Sequence, residues 1–124
     1  METFVRSTVI AGVLGLTVPS VHAQKETVYR PGNGVTPPQV TKQVKPEYTS
    51  GAKEARIVGS VILDITVTSD GTVEDVEVTR SLDRRFGLDE QAVNAAKQWR
   101  FRPGTKDGKP VPVRVTLELT FTLR

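Results

Sequence analysis

The sequence LDEQAVNAAKQWRFRPGTKDGKPVPVRVTLELTFTL, residues 88–123, carries most of the folding information in this chain. A short amphipathic segment that ends near Trp99 is followed by a basic turn and then by a long alternating run. Apolar residues at period two predict a β-strand. On one face of this strand the sequence places Val111, Val113, Val115, Leu117, Leu119, Phe121 and Leu123.

The edge of this last strand is the first candidate for function. A chain that finishes on a long strand must either cover the open edge of that strand or use it. An open edge is a row of unpaired N–H and C=O groups, and it can accept a strand from another chain. The opposite face is polar and carries Arg114, Thr116, Glu118, Thr120 and Thr122.

The N-terminus predicts export. The chain has 124 residues, which is enough for one domain. Residues 1–23 have the pattern of a signal peptide, with an apolar run at 7–18 and the small-x-small site Val21-His22-Ala23. We therefore expect a mature periplasmic protein that begins at Gln24. An uncleaved inner-membrane anchor is the alternative, although the run is shorter than the ~20 residues of a membrane helix.

The composition argues against an enzyme. The only histidine, His22, lies in the predicted signal peptide, and the chain has no cysteine. The mature protein then lacks the usual general base, the thiol nucleophile and nearly all transition-metal ligand sets. We expect no metal and no cofactor. A carboxylate pair such as Asp83 and Asp89 remains a formal alternative, but no sequence spacing supports a catalytic dyad.

The charge pattern does not indicate a nucleic-acid partner. Lysine and arginine number 17 against 14 acidic residues, so the net charge is only +3. The basic residues are scattered, and no aromatic residues alternate with them to form a stacking platform. A binding module for a protein partner is the function class that remains.

Local patterns divide the rest of the chain. Residues 24–44 are rich in Pro and Gly without a sustained period, which predicts a flexible linker that the domain orders only in part. A short helix follows, with a small apolar face of Tyr48, Ala52 and Ala55. Strands are expected at about 58–68 and 73–80, joined by a type I′ hairpin turn at Asp70-Gly71.

The order of elements predicts the fold class. A second helix begins near Leu88, and Pro103-Gly104 is expected to end it. The order helix, strand, strand, helix, strand predicts an α+β fold with two layers. In this two-layer sandwich, two short helices lie on one face of a three-stranded antiparallel sheet. Trp99 and Phe101 are expected to close its core.

An ordered set of short motifs resembles the C-terminal domain of TonB, the periplasmic energy transducer of Gram-negative bacteria. The resemblance covers about residues 44–124, and we take 45–124 as the domain. Each motif alone is weak, but the set at these spacings is specific. The motifs are Pro46-x-Tyr48, Ile57-x-Gly59-x-Val61, Asp70-Gly71-x-Val73, Ser81, Leu88-Asp89-x-x-Ala92, Trp99-Arg100-Phe101-x-Pro103 and Gly108-Lys109-Pro110-Val111.

The resemblance implies a partner and a site. It implies that an extended segment of an outer-membrane receptor pairs with the edge of the last strand, in energy-coupled transport driven by an inner-membrane motor complex. Strand addition of this kind draws affinity from backbone hydrogen bonds and selectivity from alternate side chains. Carried onto this sequence, the partner edge is Val113, Arg114, Val115, Thr116, Leu117, Glu118 and Leu119, with side contacts from Lys45, Pro46 and Glu47.

The chain departs from the family pattern at two residues, which leave the fold prediction unchanged, and upstream of the domain, which leaves alternatives open. Thr49 stands where members commonly have Pro, and Arg56 stands where many have Gly. The segment upstream of the domain looks like a signal peptide and a brief linker, rather than a membrane helix and a long Pro-rich spacer. The leading prediction is therefore a periplasmic TonB-like binding domain. The alternatives are a short membrane-anchored transducer and an envelope scaffold that forms a homodimer through the same edge strand.

Overall fold

The computed structural model describes residues 27–123, so the predicted signal peptide at residues 1–23 lies outside the described residues. Two helices and seven strands occur in this range. In chain order they are β1 (Gln39–Lys42), α1 (Ser50–Glu54), β2 (Gly59–Val67), β3 (Val73–Arg80), α2 (Leu88–Lys97), β4 (Arg100–Arg102), β5 (Thr105–Lys106), β6 (Lys109–Pro110) and β7 (Val113–Phe121).

The main sheet has the strand order β3-β2-β7, and both pairings are antiparallel. The β2–β7 ladder runs without a break from Gly59–Phe121 to Val67–Val113. The predicted α+β fold with a three-stranded antiparallel sheet and two helices is confirmed. The last strand is shorter than its alternating pattern, because Val111 turns aside and donates its N–H to the carbonyl of Gly104 at 3.0 Å.

The core lies on one face of this sheet. Alternation sends every second residue of β2 inward, and α2 packs over β3 and β2 with a stripe of small residues. Small side chains let the helix approach the sheet closely, while the larger residues of β2 fill the space between them. The buried residues of the core are Ala52, Val61, Leu63, Ile65, Val67, Leu88, Ala92, Ala95, Ala96, Trp99, Phe101, Leu119 and Phe121.

Helix α1 is stabilised by an N-cap residue and by a contact of the preceding Tyr48 with the end of β7. Thr49, the departure from the family pattern, is its N-cap, and the Thr49 hydroxyl accepts the Ala52 N–H at 3.3 Å. Tyr48 packs edge-on against Phe121, with ring centroids 5.4 Å apart, and its hydroxyl donates to the carbonyl of Ile57. The prediction that Ala55 lies on the apolar face is wrong, because it is the exposed C-cap of this five-residue helix.

The predicted type I′ turn at Asp70-Gly71 is also wrong. That turn needs positive φ at both central residues, and only Gly71 has it, at +87°. The loop instead closes through the Gly71 N–H on the Thr68 carbonyl at 2.9 Å. Gly71 is required for packing as well, because a Cβ there would lie 2.1 Å from the carbonyl oxygen of Phe101.

The second helix ends earlier than predicted. It stops at Lys97 rather than at Pro103-Gly104, and Arg100–Arg102 forms β4, which pairs antiparallel with β1. This pairing gives the backbone N–H and C=O groups of residues 100–102 the hydrogen-bond partners that a longer helix would otherwise have supplied. Part of the segment predicted as a linker is therefore ordered against the domain, and within that segment Val35 is 7% exposed.

We predict that Trp99→Ala lowers the free energy of unfolding by about 3–5 kcal/mol. Trp99 is 5% exposed, and its Nε1 donates to the carbonyl of Val44 at 2.9 Å, which fastens the chain before α1 to the end of α2. Trp99→Phe should lose less, since it keeps most of the apolar contact. Urea unfolding followed by circular dichroism tests both, and an unchanged midpoint for Trp99→Ala would contradict the core role.

Candidate partner-strand edge

The main sheet has two edges, and only one of them is regular. The ladder between β2 and β3 shifts register twice, opposite Asp64–Thr66 and opposite Ile62–Leu63. Asp75, beside the first shift, adopts φ +51°. Bulges twist a strand and interrupt its hydrogen-bonding groups, so a bulged edge accepts another strand poorly. The regular edge is the outer side of β7.

Alternation decides which backbone groups of β7 face outward. The Arg114 N–H donates to the carbonyl of Tyr29 at 2.8 Å, on the side away from β2. Because backbone groups alternate sides along a strand, the N–H and C=O groups of Thr116 and Glu118 also face outward. Pro112 fits this pattern, since edge strands accept proline where its missing N–H faces away from the sheet.

The apolar face of β7 is only partly covered. Val113, Leu119 and Phe121 are buried, whereas Val115 and Leu117 on the same face are half-buried. The reason is the position of α2, which packs mainly on β3 and β2. A strand added to β7 would therefore lie beside two apolar side chains that the domain leaves accessible.

Arg114 is tied into the sheet by its side chain. Its guanidinium crosses β2, donates to the Thr66 hydroxyl at 3.1 Å and reaches Glu77 on β3 at 3.1 Å. It also donates to the carbonyl of Asp75, which the bulge turns toward it. The side chain is only 17% exposed. Of the residues predicted on this edge, Arg114 offers a partner its backbone rather than its charge.

Thr116 has a similar double role on the helix-free face of the sheet. Its hydroxyl donates to a carboxylate oxygen of Asp64 at 2.8 Å, while its backbone faces outward. Glu118 is exposed. The residues predicted for the partner edge, Val113, Arg114, Val115, Thr116, Leu117, Glu118 and Leu119, thus lie on one continuous strand at the edge of the sheet.

The predicted side contacts lie in a different setting. Lys45 and Glu47 line a groove of about 530 Å³ between the chain before α1 and helix α2. Its other wall consists of Gln91 and Asn94 of α2 and the C-cap residue Gln98, and no β7 residue lines it. Pro46, which lies between Lys45 and Glu47 in the sequence, is half-buried. The structure thus groups Lys45 and Glu47 with α2 in this groove.

The loop between β3 and α2 is organised by two buried carboxylates. Asp83 accepts the backbone N–H groups of Arg85, Phe86 and Leu88, at 3.0 to 3.2 Å, and so caps the start of α2, where the N-cap residue Gly87 has no side chain. Sequence reasoning noted Asp83 only as one member of a formal carboxylate pair. Its bonds to Arg85 and Phe86 have the i+2 and i+3 spacings of an ordinary Asx turn, a local signal that could have marked it. The bond to Leu88, five residues on, has no such signal.

Asp89 serves the same loop from within the helix. Its carboxylate accepts the Ser81 hydroxyl and the backbone N–H groups of Leu82 and Asp83, at 2.9 and 3.0 Å. Burial raises the pKa of Asp89, but these hydrogen bonds together with the Arg84 guanidinium outweigh it, and the pKa is lowered overall. Hydrogen bonds to loop backbone occupy both carboxylates, which argues for structural roles.

We predict that the domain loses stability in acid when the carboxylate of Asp89 becomes protonated. Because its folded pKa lies below the unfolded value of about 3.9, its contribution is present above that pH and is lost as the pH falls further. Asp89→Asn should lower the free energy of unfolding by about 1–3 kcal/mol at neutral pH and flatten the acid slope. Glu90→Gln, on the exposed side of the same turn, is the control. Equal slopes for wild type and Asp89→Asn would contradict this account.

Comparison with known proteins places the domain. Residues 44–123 match the family model described as the C-terminal part of the Gram-negative bacterial TonB protein. The chain belongs to this family. The resemblance predicted from the motifs is therefore confirmed. Protein TonB of Xanthomonas campestris pv. campestris (strain B100) is 36% identical over 78 residues, which cover 63% of this chain and 34% of that protein.

Other TonB relatives agree on the extent of the match. Protein TonB of Vibrio cholerae serotype O1 is 33% identical over 87 residues, which are 70% of this chain and 35% of that protein. The chain thus spans about a third of the length of these relatives. The solution NMR structure of the Pseudomonas aeruginosa TonB C-terminal domain superimposes with a TM-score of 0.53 at 26% identity. It covers 75% of this chain and 92% of that one.

The TonB motifs have physical roles in this structure. Leu88, Ala92, Trp99 and Phe101 fill the core. Gly59 begins β2 at φ +142°, where a Cβ would lie 2.7 Å from Leu82. Within residues 27–123, no helix is long and apolar enough to cross a membrane, and no cluster of acidic, histidine or cysteine side chains is placed to hold a metal ion.

Proposed function

We propose that this TonB-family domain binds the extended N-terminal segment of an outer-membrane receptor by strand addition to β7. The observation that carries the proposal is the regular outer edge of β7, with the backbone groups of Thr116 and Glu118 facing away from the sheet. Among the described residues, no backbone group pairs with them. The half-buried Val115 and Leu117 lie beside this edge and would pack against alternate side chains of the partner.

The physical character of the edge favours reversible binding. Each backbone hydrogen bond contributes only about 1 kcal/mol net, and an ordered partner strand loses conformational freedom when it binds. A few such bonds and two apolar contacts support a complex that forms and dissociates readily. This behaviour suits a domain that visits receptors in turn during energy-coupled transport.

The site argues for binding rather than catalysis in this proposal. The two buried carboxylates already accept hydrogen bonds from the loop between β3 and α2. Lys45 and Glu47 remain proposed secondary contacts, reached by a partner that extends from β7 toward the groove at α2. Coupling to an inner-membrane motor is proposed only for an anchored form of the protein. We propose no nucleic-acid partner and no cofactor.

We predict that Thr116→Pro abolishes receptor-peptide binding while the domain stays folded. Proline removes the outward N–H of Thr116, which the sheet itself does not use. Leu117→Pro should instead lower the free energy of unfolding by about 1–3 kcal/mol, because it removes a donor of the β2–β7 ladder and leaves a carbonyl of β2 without its partner. Isothermal titration with a synthetic peptide of the receptor N-terminal segment measures binding, and thermal melts measure stability.

Thr116→Ala is the matched control, since it removes the hydroxyl bond to Asp64 and keeps the backbone N–H. It should bind like wild type. Binding by folded Thr116→Pro at wild-type affinity would place the recognition surface elsewhere. Sedimentation of each variant tests the competing homodimer, because pairing of two β7 edges would also be lost in Thr116→Pro.

We predict that the exported protein begins at Gln24. The Val21-His22-Ala23 site and the short apolar run before it motivate the proposal. Intact-mass measurement of the periplasmic fraction tests it directly. A full-length species recovered from the inner membrane would favour the anchored transducer instead.

A further inference from the structure

The chain covers part of its own candidate edge. Residues 27–36, which we call the strap, contact the outer side of β7 at Tyr29, which forms a parallel bridge with Val113, and then reach Lys106, where Val35 forms an antiparallel bridge. The Tyr29 N–H donates to the carbonyl of Pro112 at 3.0 Å, and the Tyr29 carbonyl accepts the Arg114 N–H at 2.8 Å. These backbone bonds are of the kind that an added partner strand would make.

The far end of the strap is fixed to the domain. Val35 is buried, the Thr36 N–H donates to the carbonyl of Thr105 at 2.8 Å, and the Thr105 N–H donates to the Thr36 hydroxyl at 2.9 Å. Gly32 and Val35 exchange backbone bonds of 3.0 and 3.1 Å across a tight turn. This end can therefore stay in place when the Tyr29 end leaves.

The Tyr29 end is held by weak contacts. The Lys106 ammonium lies 4.9 Å from the centroid of the Tyr29 ring. Arg30, 65% exposed, approaches Asp64 at 3.8 Å. Cation–π contacts and ion pairs at exposed sites are worth little, and Val28 is 45% exposed. None of residues 27–34 belongs to the core cluster, so release of this end withdraws no core side chain.

We propose that the strap is an autoinhibitory competitor for the partner edge. Tyr29 must leave β7 before a partner strand can pair with Arg114, so the strap lowers the affinity of the edge for its partner. The inference rests on the proposed function and adds its regulation. A competent state that is only partly populated weakens the apparent affinity by its population. Loss of one exposed backbone bond together with the ring contact corresponds to about a tenfold effect.

The test uses two proline variants of the full mature chain. Tyr29→Pro removes the N–H that bonds to Pro112, while Val28→Pro removes an N–H on the opposite side of the strap. A third variant, Lys106→Gln, removes the ring contact and keeps both backbone bonds. Thermal melts of all three should match wild type, because the strap end lies outside the core.

Two measurements distinguish release of the strap from β7 and the effect of that release on peptide binding. Amide hydrogen exchange should accelerate at Arg114 by about tenfold in Tyr29→Pro, and remain unchanged at Thr116 and Glu118. Affinity for a synthetic peptide of a receptor N-terminal segment should rise about tenfold in Tyr29→Pro. Val28→Pro should match wild type in both exchange rate and affinity. Lys106→Gln should give values between those of wild type and Tyr29→Pro.

Each outcome decides one question. Unchanged Arg114 exchange in Tyr29→Pro would show that the strap does not cover the edge and would overturn the inference. Faster exchange with unchanged peptide affinity would also overturn it, because the strap would then not compete. Absence of peptide binding in every variant would overturn the proposed function and the competition with it, whereas the Arg114 exchange would still report whether the strap covers the edge.

Discussion

The antiparallel ladder between β2 and β7 is the constraint on which the rest of the structure depends. β2 is paired on both sides, and its inward residues are fully buried, so it can sit only in the centre of the sheet. β7 then has one strand neighbour and one open side. The ladder pairs all nine residues of β7 with β2 without a register shift, so the open side of β7 is regular.

The two edge strands of the sheet differ in the regularity of their pairing with β2. β3 carries two register shifts, and the Arg114 guanidinium grips the carbonyl that the first bulge exposes. The same side chain therefore contacts the bulged edge of the sheet, while its own backbone lies on the other edge. β7 remains regular, and the only backbone segment found against its outer side within residues 27–123 is the Tyr29 end of the strap.

Two buried carboxylates of this domain bind backbone groups. Asp83 and Asp89 bind the N–H groups of a loop and of the start of α2, in a region where Gly87 provides no cap. Such carboxylates replace the hydrogen bonds that water would make to buried backbone. The arrangement fixes the loop between β3 and α2 against the start of the helix.

The sequence by itself determined the α+β pattern, the inward faces of the strands and the aromatic closure at Trp99 and Phe101, because periodicity and Gly or Pro signals are local. The motif order also identified the family. Local signals gave the wrong turn type for the hairpin and the wrong end for α2. The backbone of Gly71 packs against the carbonyl of Phe101, and residues 100–102 pair with β1. The sequence also predicted that the last strand lies at an edge of the sheet, and the strand order confirms it. Only the tertiary structure decided that Tyr29 pairs against that edge and that β1 pairs with β4. Those pairings join residues far apart in sequence, and a hydrogen bond between backbone groups leaves no mark on side-chain identity.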